Sequence, residues 1–276
     1  MSEMDERELA QVTNCAMCAN MCKHSCPAYL ASGSEKYTPQ KIARLILYEE
    51  KEFIEDRHGF CDVVFHSAMC GACSKHCIYE DYDLRKYIQK GRRKAFNEGM
   101  LPDATRRRVE TFKKYGNPNG ERQLLDEGTG GIGYFVACSA YQDNELLPAM
   151  ERIIAANGEQ IHRFGGADLC CGAPLYYAGD MKGFEKAAVK MAGEIETRKL
   201  KKVIIDCPNC LKIMTDIYLE VGAIAGVDFV HTTEYINDLI EEGRIKVNGR
   251  NGTATYHDPC ILANDLAITE APRKII

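Results

Sequence analysis

The sequence predicts an α+β fold, in which a helical N-terminal module precedes an α/β domain with a mostly parallel sheet. One observation is the division of the 14 cysteines: eight lie from Cys15 to Cys77, and six lie from Cys138 to Cys260. A run of turn formers at 116–131 marks a linker between the two groups. After residue 131, strand and helix patterns alternate, which is typical of a parallel sheet covered by helices.

The composition excludes several classes of protein. With 276 residues, 45% of them hydrophobic, the chain can bury a core without disulfides to hold it. Its first residues lack the apolar segment of a signal peptide, and no apolar run approaches the ~20 residues of a membrane helix. We therefore expect a cytoplasmic protein whose cysteines are free or bound to metal. The net charge of −5 argues against nucleic acid as the main partner.

Three helices are predicted in the N-terminal module. Thr38 and Pro39 are residue types favoured at the N-cap and the first helical position, so they predict a helix start. A second helix is predicted at 84–97. A third follows Pro102, with Asp103 in its first turn, where a negative charge complements the helix dipole.

The remaining elements belong to the predicted α/β domain. We place domain boundaries after residues 124 and 250, which divides the chain into 1–124, 125–250 and 251–276. The predicted strands span 132–137, 159–164, 202–206, 227–231 and 253–257. The predicted helices span 144–156, 181–198, 209–220 and 233–242.

A dense cysteine loop opens the N-terminal module, with its members at Cys15, Cys18, Cys22 and Cys26, followed by Pro27. Bacterial ferredoxins use the loop C-x2-C-x2-C-x3-C-P, whose last cysteine serves the other cluster of a pair. The loop of this chain has one more residue between its second and third cysteines. Because thiolates are soft ligands that suit iron, the pattern predicts a ferredoxin-like module.

A second, irregular loop follows at Cys70, Cys73 and Cys77. Ser67 stands where its first cysteine is expected, and Cys61 could supply the missing thiolate. In two-cluster ferredoxins, the last cysteine of each loop binds the cluster of the other loop. Applied to these two loops, this rule predicts two cubane [4Fe–4S] clusters. The ligand sets are Cys15, Cys18, Cys22 and Cys77 for one cluster, and Cys26, Cys61, Cys70 and Cys73 for the other.

Two alternatives concern these loops. Zinc sites of four cysteines pair C-x2-C knuckles across a spacer, and two crowded loops fit that arrangement poorly. The irregular second loop also leaves open a three-iron cluster or an unusual ligand.

The second group of cysteines follows the predicted strands of the α/β domain. Because the carboxyl ends of parallel strands share one edge, we expect these thiols to meet there. They are Cys138, Cys170, Cys171, Cys207 and Cys210. Inert buried cysteines are one alternative. A thioredoxin-like redox pair at Cys207 and Cys210 is another, and it leaves the other three unexplained.

The spacing of these five cysteines resembles the cysteine-rich "CCG" domain of heterodisulfide reductases. The order of modules resembles the catalytic iron–sulfur subunit of the membrane-bound heterodisulfide reductase. It is also similar to the iron–sulfur subunits of glycolate oxidase and of anaerobic glycerol-3-phosphate dehydrogenase. The resemblance implies that the five cysteines hold one noncubane [4Fe–4S] cluster.

The family usually carries two such domains, and the segment from Tyr256 to Cys260 resembles the opening of a second one. Cys260 would correspond to Cys138 as a ligand there. The sequence ends at Ile276, before the next expected cysteine pair. We therefore expect that residues 251–276 are the incomplete start of a second CCG domain, either because the chain is a fragment or because another chain supplies the rest.

The resemblance implies an iron–sulfur subunit of an oxidoreductase complex. It would relay electrons between a flavoprotein partner (a dehydrogenase or an electron-transfer flavoprotein) and a membrane quinone or haem partner. The alternative is a reductase that cleaves a heterodisulfide or a protein trisulfide at the noncubane cluster. Such a subunit is cytoplasmic, or is held at the cytoplasmic face of the membrane through its partner.

Overall fold

The computed structural model describes residues 4–79, 81–143, 145–223, 226–249 and 252–276. Its chain forms two compact units. Met1–Arg107 and Tyr176–Met181 form the first, and Arg108–Leu175 and Lys182–Ile276 form the second. The predicted domain boundaries at residues 124 and 250 stay predictions, and residue 250 lies outside the described part of the chain.

The first unit is helical, as the sequence predicts. Its α-helices are α1 Glu6–Met17, α2 Pro27–Ser32, α3 Pro39–Glu50, α4 Arg57–His66, α5 Ala72–Lys75 and α6 Leu84–Asn97. A further helix, α7 Asp103–Tyr115, begins in this unit and ends in the second. Short 3₁₀ helices span Met21–Ser25 and Glu35–Tyr37. The three helices predicted from Pro39, 84–97 and Pro102 are therefore present as α3, α6 and α7.

Local chemistry explains where these helices begin and how they pack. Asp5 and Glu8 form a reciprocal capping box at the start of α1. The carbonyl of Ala16, near the end of α1, accepts hydrogen bonds from the Gln40 amide (2.6 Å) and from Arg44 (2.9 Å) on α3. These bonds fix the end of α1, which carries the first cysteines, against the next long helix.

The second unit contains a five-stranded sheet in the order β1-β3-β2-β4-β5. Its strands are β1 Leu124–Glu127, β2 Ile132–Val136, β3 Ile161–Gly166, β4 Lys202–Ile205 and β5 Asp228–His231. All neighbours are parallel except β1 and β3, which are antiparallel. The predicted α+β fold with a mostly parallel sheet is therefore confirmed.

The α-helices that follow α7 lie wholly or partly in the second unit, and Met150 and Leu239 from two of them pack against this sheet. These helices are α8 Leu146–Asn157, α9 Ala173–Ala178, α10 Met181–Thr197, α11 Pro208–Lys212, α12 Tyr218–Glu220, α13 Thr232–Glu241 and α14 Glu270–Ile275. A π-helical turn at Ile213–Ile217 joins α11 to α12, and a second one spans Ile261–Asp265. Along β2 the side chains alternate between faces, and Tyr134 and Val136 join a core that includes Met150 and Ile204.

The order of the strands reverses direction at β2, and the site lies at this point of the sheet. From β2 the chain passes to β3 on one side, and it then returns to β4 on the other side of β2. The crevice outside the carboxyl ends of β2 and β4 is therefore the topological switch point, where open α/β sheets bind ligands.

Two predictions about strands are corrected. Residues 253–257 were expected to form a strand but adopt no regular structure, because four of the five residues are exposed and give no apolar face to bury. The predicted linker contains strand β1, which the turn formers concealed. Its burial is slight; the ion pair of Asp126 with Arg198 (2.9 Å) and that of Glu127 with Arg163 (2.9 Å) hold this short edge strand.

No helix among the described residues is long and apolar enough to cross a membrane.

The predicted helix at 144–156 corresponds to α8. Asn144 itself lies outside the described residues.

Candidate functional site

The first unit holds a pocket, here called pocket A, whose wall is rich in cysteine. Its empty space is about 450 Å³, and it is lined by the four thiols predicted for the first cluster, together with Cys73. The four are Cys15 near the end of α1, Cys18 at its C-cap, Cys22 in the first 3₁₀ helix and Cys77 after α5. The structure therefore brings together the whole predicted set.

These thiols are poorly suited to carry negative charge without a cation. Burial, together with the smaller effects of the charges on Cys73, Cys18 and Cys77, raises the pKa of Cys15 to about 12. Burial, followed by the charge of Cys15, raises the pKa of Cys22 to about 11. A positively charged group that binds thiolates would remove this penalty, so the donor set suits an iron–sulfur cluster.

A buried tyrosine hydroxyl lies in the same pocket. Tyr82 lines pocket A, its hydroxyl has no hydrogen-bond partner among the described residues, and its interaction with Cys15 opposes the effect of burial on the pKa of that thiol. The hydroxyl can therefore donate to a thiolate that holds a cluster.

Among the described residues, no group of three or more His, Cys, Asp or Glu could hold a single metal ion. A four-iron cluster spreads its ligands over several iron atoms, so its thiols need not converge on one point.

The neighbouring pocket B has an empty space of about 390 Å³ and contains three of the four thiols predicted for the second cluster. They are Cys26, Cys70 and Cys73, and Cys73 also lines pocket A. Gly71, with φ of +74°, turns the backbone between Cys70 and Cys73. Burial, followed by the charges of Cys22 and Cys70, raises the pKa of Cys73 to about 12.

The fourth predicted member of this set lies elsewhere. Cys61 is in the interior of α4, and its thiol donates a hydrogen bond to the carbonyl of Met100 (3.3 Å). It lines a separate pocket with Pro102 and Arg106, and it is absent from the described lining of pocket B. The structure therefore does not bring Cys61 together with the other three.

The second unit gathers all five cysteines of its predicted set at the carboxyl edge of the sheet. Cys138 follows β2, the pair Cys170–Cys171 follows β3, and Cys207 follows β4, at the start of the helix that contains Cys210. The Sγ atoms of Cys171 and Cys210 are 3.1 Å apart. Hydrogen bonds also join Cys170 to Cys138 and to Cys171, and Cys207 to Cys210.

The contacts among these thiols raise the pKa of some of them and lower the pKa of others. Hydrogen bonds from Cys170 and Cys210 hold the pKa of Cys171 below its ordinary value. Cys210, which shares its proton with Cys171, has its pKa raised. The hydrogen bond to Cys170, followed by burial, raises the pKa of Cys138. A row of coupled, buried thiols of this kind suits a multi-iron group, which binds thiolates and releases protons.

Three surrounding features fix the five thiols. Gly172 has φ of +82°, and a Cβ there would meet Phe184 at 2.9 Å, so only glycine fits after the cysteine pair. The Tyr218 hydroxyl donates to the carbonyl of Cys171 (2.9 Å). The carbonyl of Cys138 accepts from Arg122 (3.1 Å) and from Asn119 (3.2 Å).

A buried carboxyl group beside Cys207 was not identified from the sequence. Burial raises the pKa of Asp206 to about 6, and this effect outweighs the hydrogen bond that its Oδ2 atom accepts from the Tyr134 hydroxyl (3.1 Å). The only sequence signal was its position between an apolar strand and a cysteine, which is too common to indicate a role.

Cys260, the predicted ligand of a second CCG site, is not one of these five thiols, and the turn after it contacts α11, the helix that contains Cys210. Cys260 is exposed and stands directly before the π-helical turn at Ile261–Asp265. Its membership of a second site stays a prediction.

Comparison with known proteins agrees with this arrangement. Residues 132–215 match the cysteine-rich domain family CCG. The chain is 26% identical to a subunit of the dihydromethanophenazine:CoB–CoM heterodisulfide reductase of Methanosarcina acetivorans, over 98% of this chain and 73% of that protein. A subunit of the CoM/CoB fumarate reductase of Methanothermobacter marburgensis is 24% identical, over 99% of this chain and 56% of that protein. No solved structure matches.

The class that follows is an oxidoreductase-type iron–sulfur subunit that contains a CCG cysteine-rich domain. The chain is similar to the heterodisulfide reductase subunit and related iron–sulfur proteins, with 24–26% identity over nearly its full length. The resemblance inferred from the cysteine spacing is thereby confirmed.

Proposed function

We propose that the chain relays electrons between a flavoprotein partner and a membrane quinone or haem partner. The flavoprotein would be a dehydrogenase or an electron-transfer flavoprotein. In this proposal the chain is held at the cytoplasmic face of the membrane through its partner. The observation that carries the proposal is that pockets A and B share Cys73, Pro39 and Leu84 in their walls. Two redox groups in adjacent pockets are the arrangement that a relay requires.

The proposal also includes three clusters. Two are cubane [4Fe–4S] clusters in the first unit, and one is a noncubane [4Fe–4S] cluster in the second unit. When bound, such clusters accept and donate single electrons. Pocket A supplies Cys15, Cys18, Cys22 and Cys77, and pocket B supplies Cys26, Cys70 and Cys73. The five thiols after β2, β3 and β4 supply the third site.

One observation favours a second candidate function, which is reduction of a disulfide by this chain itself. The five thiols meet at the switch point of the sheet, where this kind of fold binds its ligands. The relatives include a protein named as a heterodisulfide reductase subunit. In that reaction one S–S bond breaks, and two electrons and two protons yield two thiols.

The two functions are separated by an experiment on the loaded chain alone. The protein is purified without oxygen, reduced with dithionite, freed of excess reductant, and mixed with either a soluble quinone or an asymmetric disulfide. The relay proposal predicts rapid reoxidation by the quinone, seen as recovery of the visible absorbance, with no thiol formed from the disulfide. Stoichiometric release of thiol from the disulfide would instead establish the reductase, and reoxidation by neither compound would contradict both.

A further inference from the structure

Pocket B is lined by three cysteines and one serine that could hold a cluster. Ser67 lines it together with Cys26, Cys70 and Cys73. It occupies the position, three residues before Cys70, at which the regular loop carries its first cysteine. A residue with an oxygen donor therefore lies at the pocket wall where a fourth cysteine was expected.

Cys61 is badly placed to replace this donor. It lies in the interior of α4, six residues before Ser67, which is the C-cap of that helix. Only 7% of its surface is exposed, and its thiol already donates to the carbonyl of Met100. Bringing it into pocket B would require α4 to rotate against its core contacts through Phe60 and Val64.

Ser67, in contrast, is held in place by its surroundings. Its carbonyl accepts a hydrogen bond from Nη2 of Arg92 (2.7 Å), whose guanidinium also donates to the carbonyl of Val64 (3.0 Å). Arg92 is only 5% exposed, so its positive charge is buried close to the pocket. The backbone N–H of Met69 donates to the Oγ atom of Ser67 (3.2 Å), an interaction that stabilises negative charge on this oxygen.

We propose that Ser67 Oγ is the fourth ligand of the cluster in pocket B and that Cys61 is not a ligand. The inference rests on the proposed cluster in this pocket. One iron is then held by a hard oxygen ligand, whereas the other irons are held by thiolates. Because iron in such clusters prefers soft sulfur, this iron is the one most easily lost.

The test compares Ser67→Cys, Ser67→Ala and Cys61→Ala with the parent chain, all loaded and purified without oxygen. Ferricyanide, a one-electron oxidant, is added while paramagnetic resonance and released iron are followed. In the parent chain we expect one ferrous ion to leave and one electron to pass to ferricyanide, which gives the signal of an oxidised three-iron cluster. About one iron per chain should be released in this phase.

The variants should separate the two candidate ligands. Ser67→Cys should reduce the three-iron signal at least tenfold, because a thiolate retains the fourth iron. Ser67→Ala should carry a three-iron cluster before any oxidant is added, and Cys61→Ala should behave as the parent chain. Circular dichroism checks that the variants are folded, and Ser67→Cys, which restores the regular ligand, keeps the test valid if Ser67→Ala is unstable.

Other outcomes would overturn the inference. If Cys61→Ala produces the three-iron cluster while both Ser67 variants behave as the parent chain, Cys61 is the ligand. If Ser67→Cys leaves the oxidation unchanged, Ser67 does not hold the labile iron. A chain without iron and acid-labile sulfide would contradict the proposed function itself, which is a different result from either of these.

Discussion

The Sγ atom of Cys210 lies 3.1 Å from the Sγ atom of Cys171, although 39 positions separate the two residues in the chain. One residue belongs to the cysteine pair after β3, and the other to the helix after β4. Their contact shows how the sheet gathers distant cysteines at its carboxyl edge. The first prediction tests what this group of thiols holds.

Cys171→Ala should abolish the paramagnetic signal of the cluster in the second unit and leave the signals of the first unit. The reason is that Cys171 contacts both Cys170 and Cys210 and so occupies the middle of the row. Cys260→Ala is the matched control, because Cys260 is exposed and lies outside the row. Simultaneous loss of every signal in Cys171→Ala would contradict independent sites in the two units.

Gly172→Ala should lower the free energy of unfolding by about 1–3 kcal/mol, since the positive φ and the approach to Phe184 both oppose a Cβ. The helical Gly193 is the control. A Cβ there meets no atom within 4 Å, so Gly193→Ala should raise stability by up to about 1 kcal/mol. Urea unfolding followed by circular dichroism measures both changes. Equal effects of the two substitutions would show that the turn after the cysteine pair has no special requirement.

Glu49→Gln should destabilise the first unit by about 1.5–3 kcal/mol, because it removes the buried carboxylate between Arg57 and Lys94. Arg57 keeps its ion pair with Glu98. The side chain of Glu49 is only 6% exposed.

Glu35→Gln removes a partner of Lys23 from an exposed pair, which solvent screens, and should therefore cost clearly less stability than Glu49→Gln. Thermal unfolding measures the stability that each variant loses. Equal losses in the two variants would contradict this account.

His231 gives a prediction about pH. Burial lowers its pKa from 6.5 to about 4, so between these values the unfolded chain binds a proton that the folded chain does not. The contribution of His231 to stability is therefore present above pH 6.5 and is lost as the pH falls toward 4. His231→Asn keeps a side chain that can accept from the N–H of Thr233 but does not titrate.

From pH 7 to pH 5, the parent chain should lose about 2 kcal/mol more stability than His231→Asn. Urea unfolding of the metal-free proteins at both values measures the difference. An equal loss in the two chains would mean that His231 does not titrate as its burial requires.

The sequence predicted the elements that depend on strong local signals. Thr38 and Pro39 marked the start of α3, and the alternation of strand and helix patterns after residue 131 located β2 to β5. The cysteine spacing predicted which thiols meet, because parallel strands place their carboxyl ends together whatever their order. Strand β1 was missed because it is held by pairing with β3 and by ion pairs with distant Arg163 and Arg198, which no local pattern records.

The ligand set of pocket B shows the limit of cysteine counting. Cys61 was chosen because it was the remaining cysteine nearby, but its direction depends on how α4 packs. That packing is decided by contacts such as the hydrogen bond to Met100, 39 positions away in the sequence. The sequence identified Ser67 as the substituted position, and only the folded chain places its side chain in the pocket.

The most direct test of the central claim is the metal and sulfide content of the whole chain after purification without oxygen. Three four-iron clusters require about twelve iron atoms and a similar amount of acid-labile sulfide per chain, with paramagnetic signals from more than one cluster type after reduction. Zinc without sulfide would contradict the account, since the two cysteine-rich pockets and the row of five thiols would then hold something other than iron–sulfur clusters.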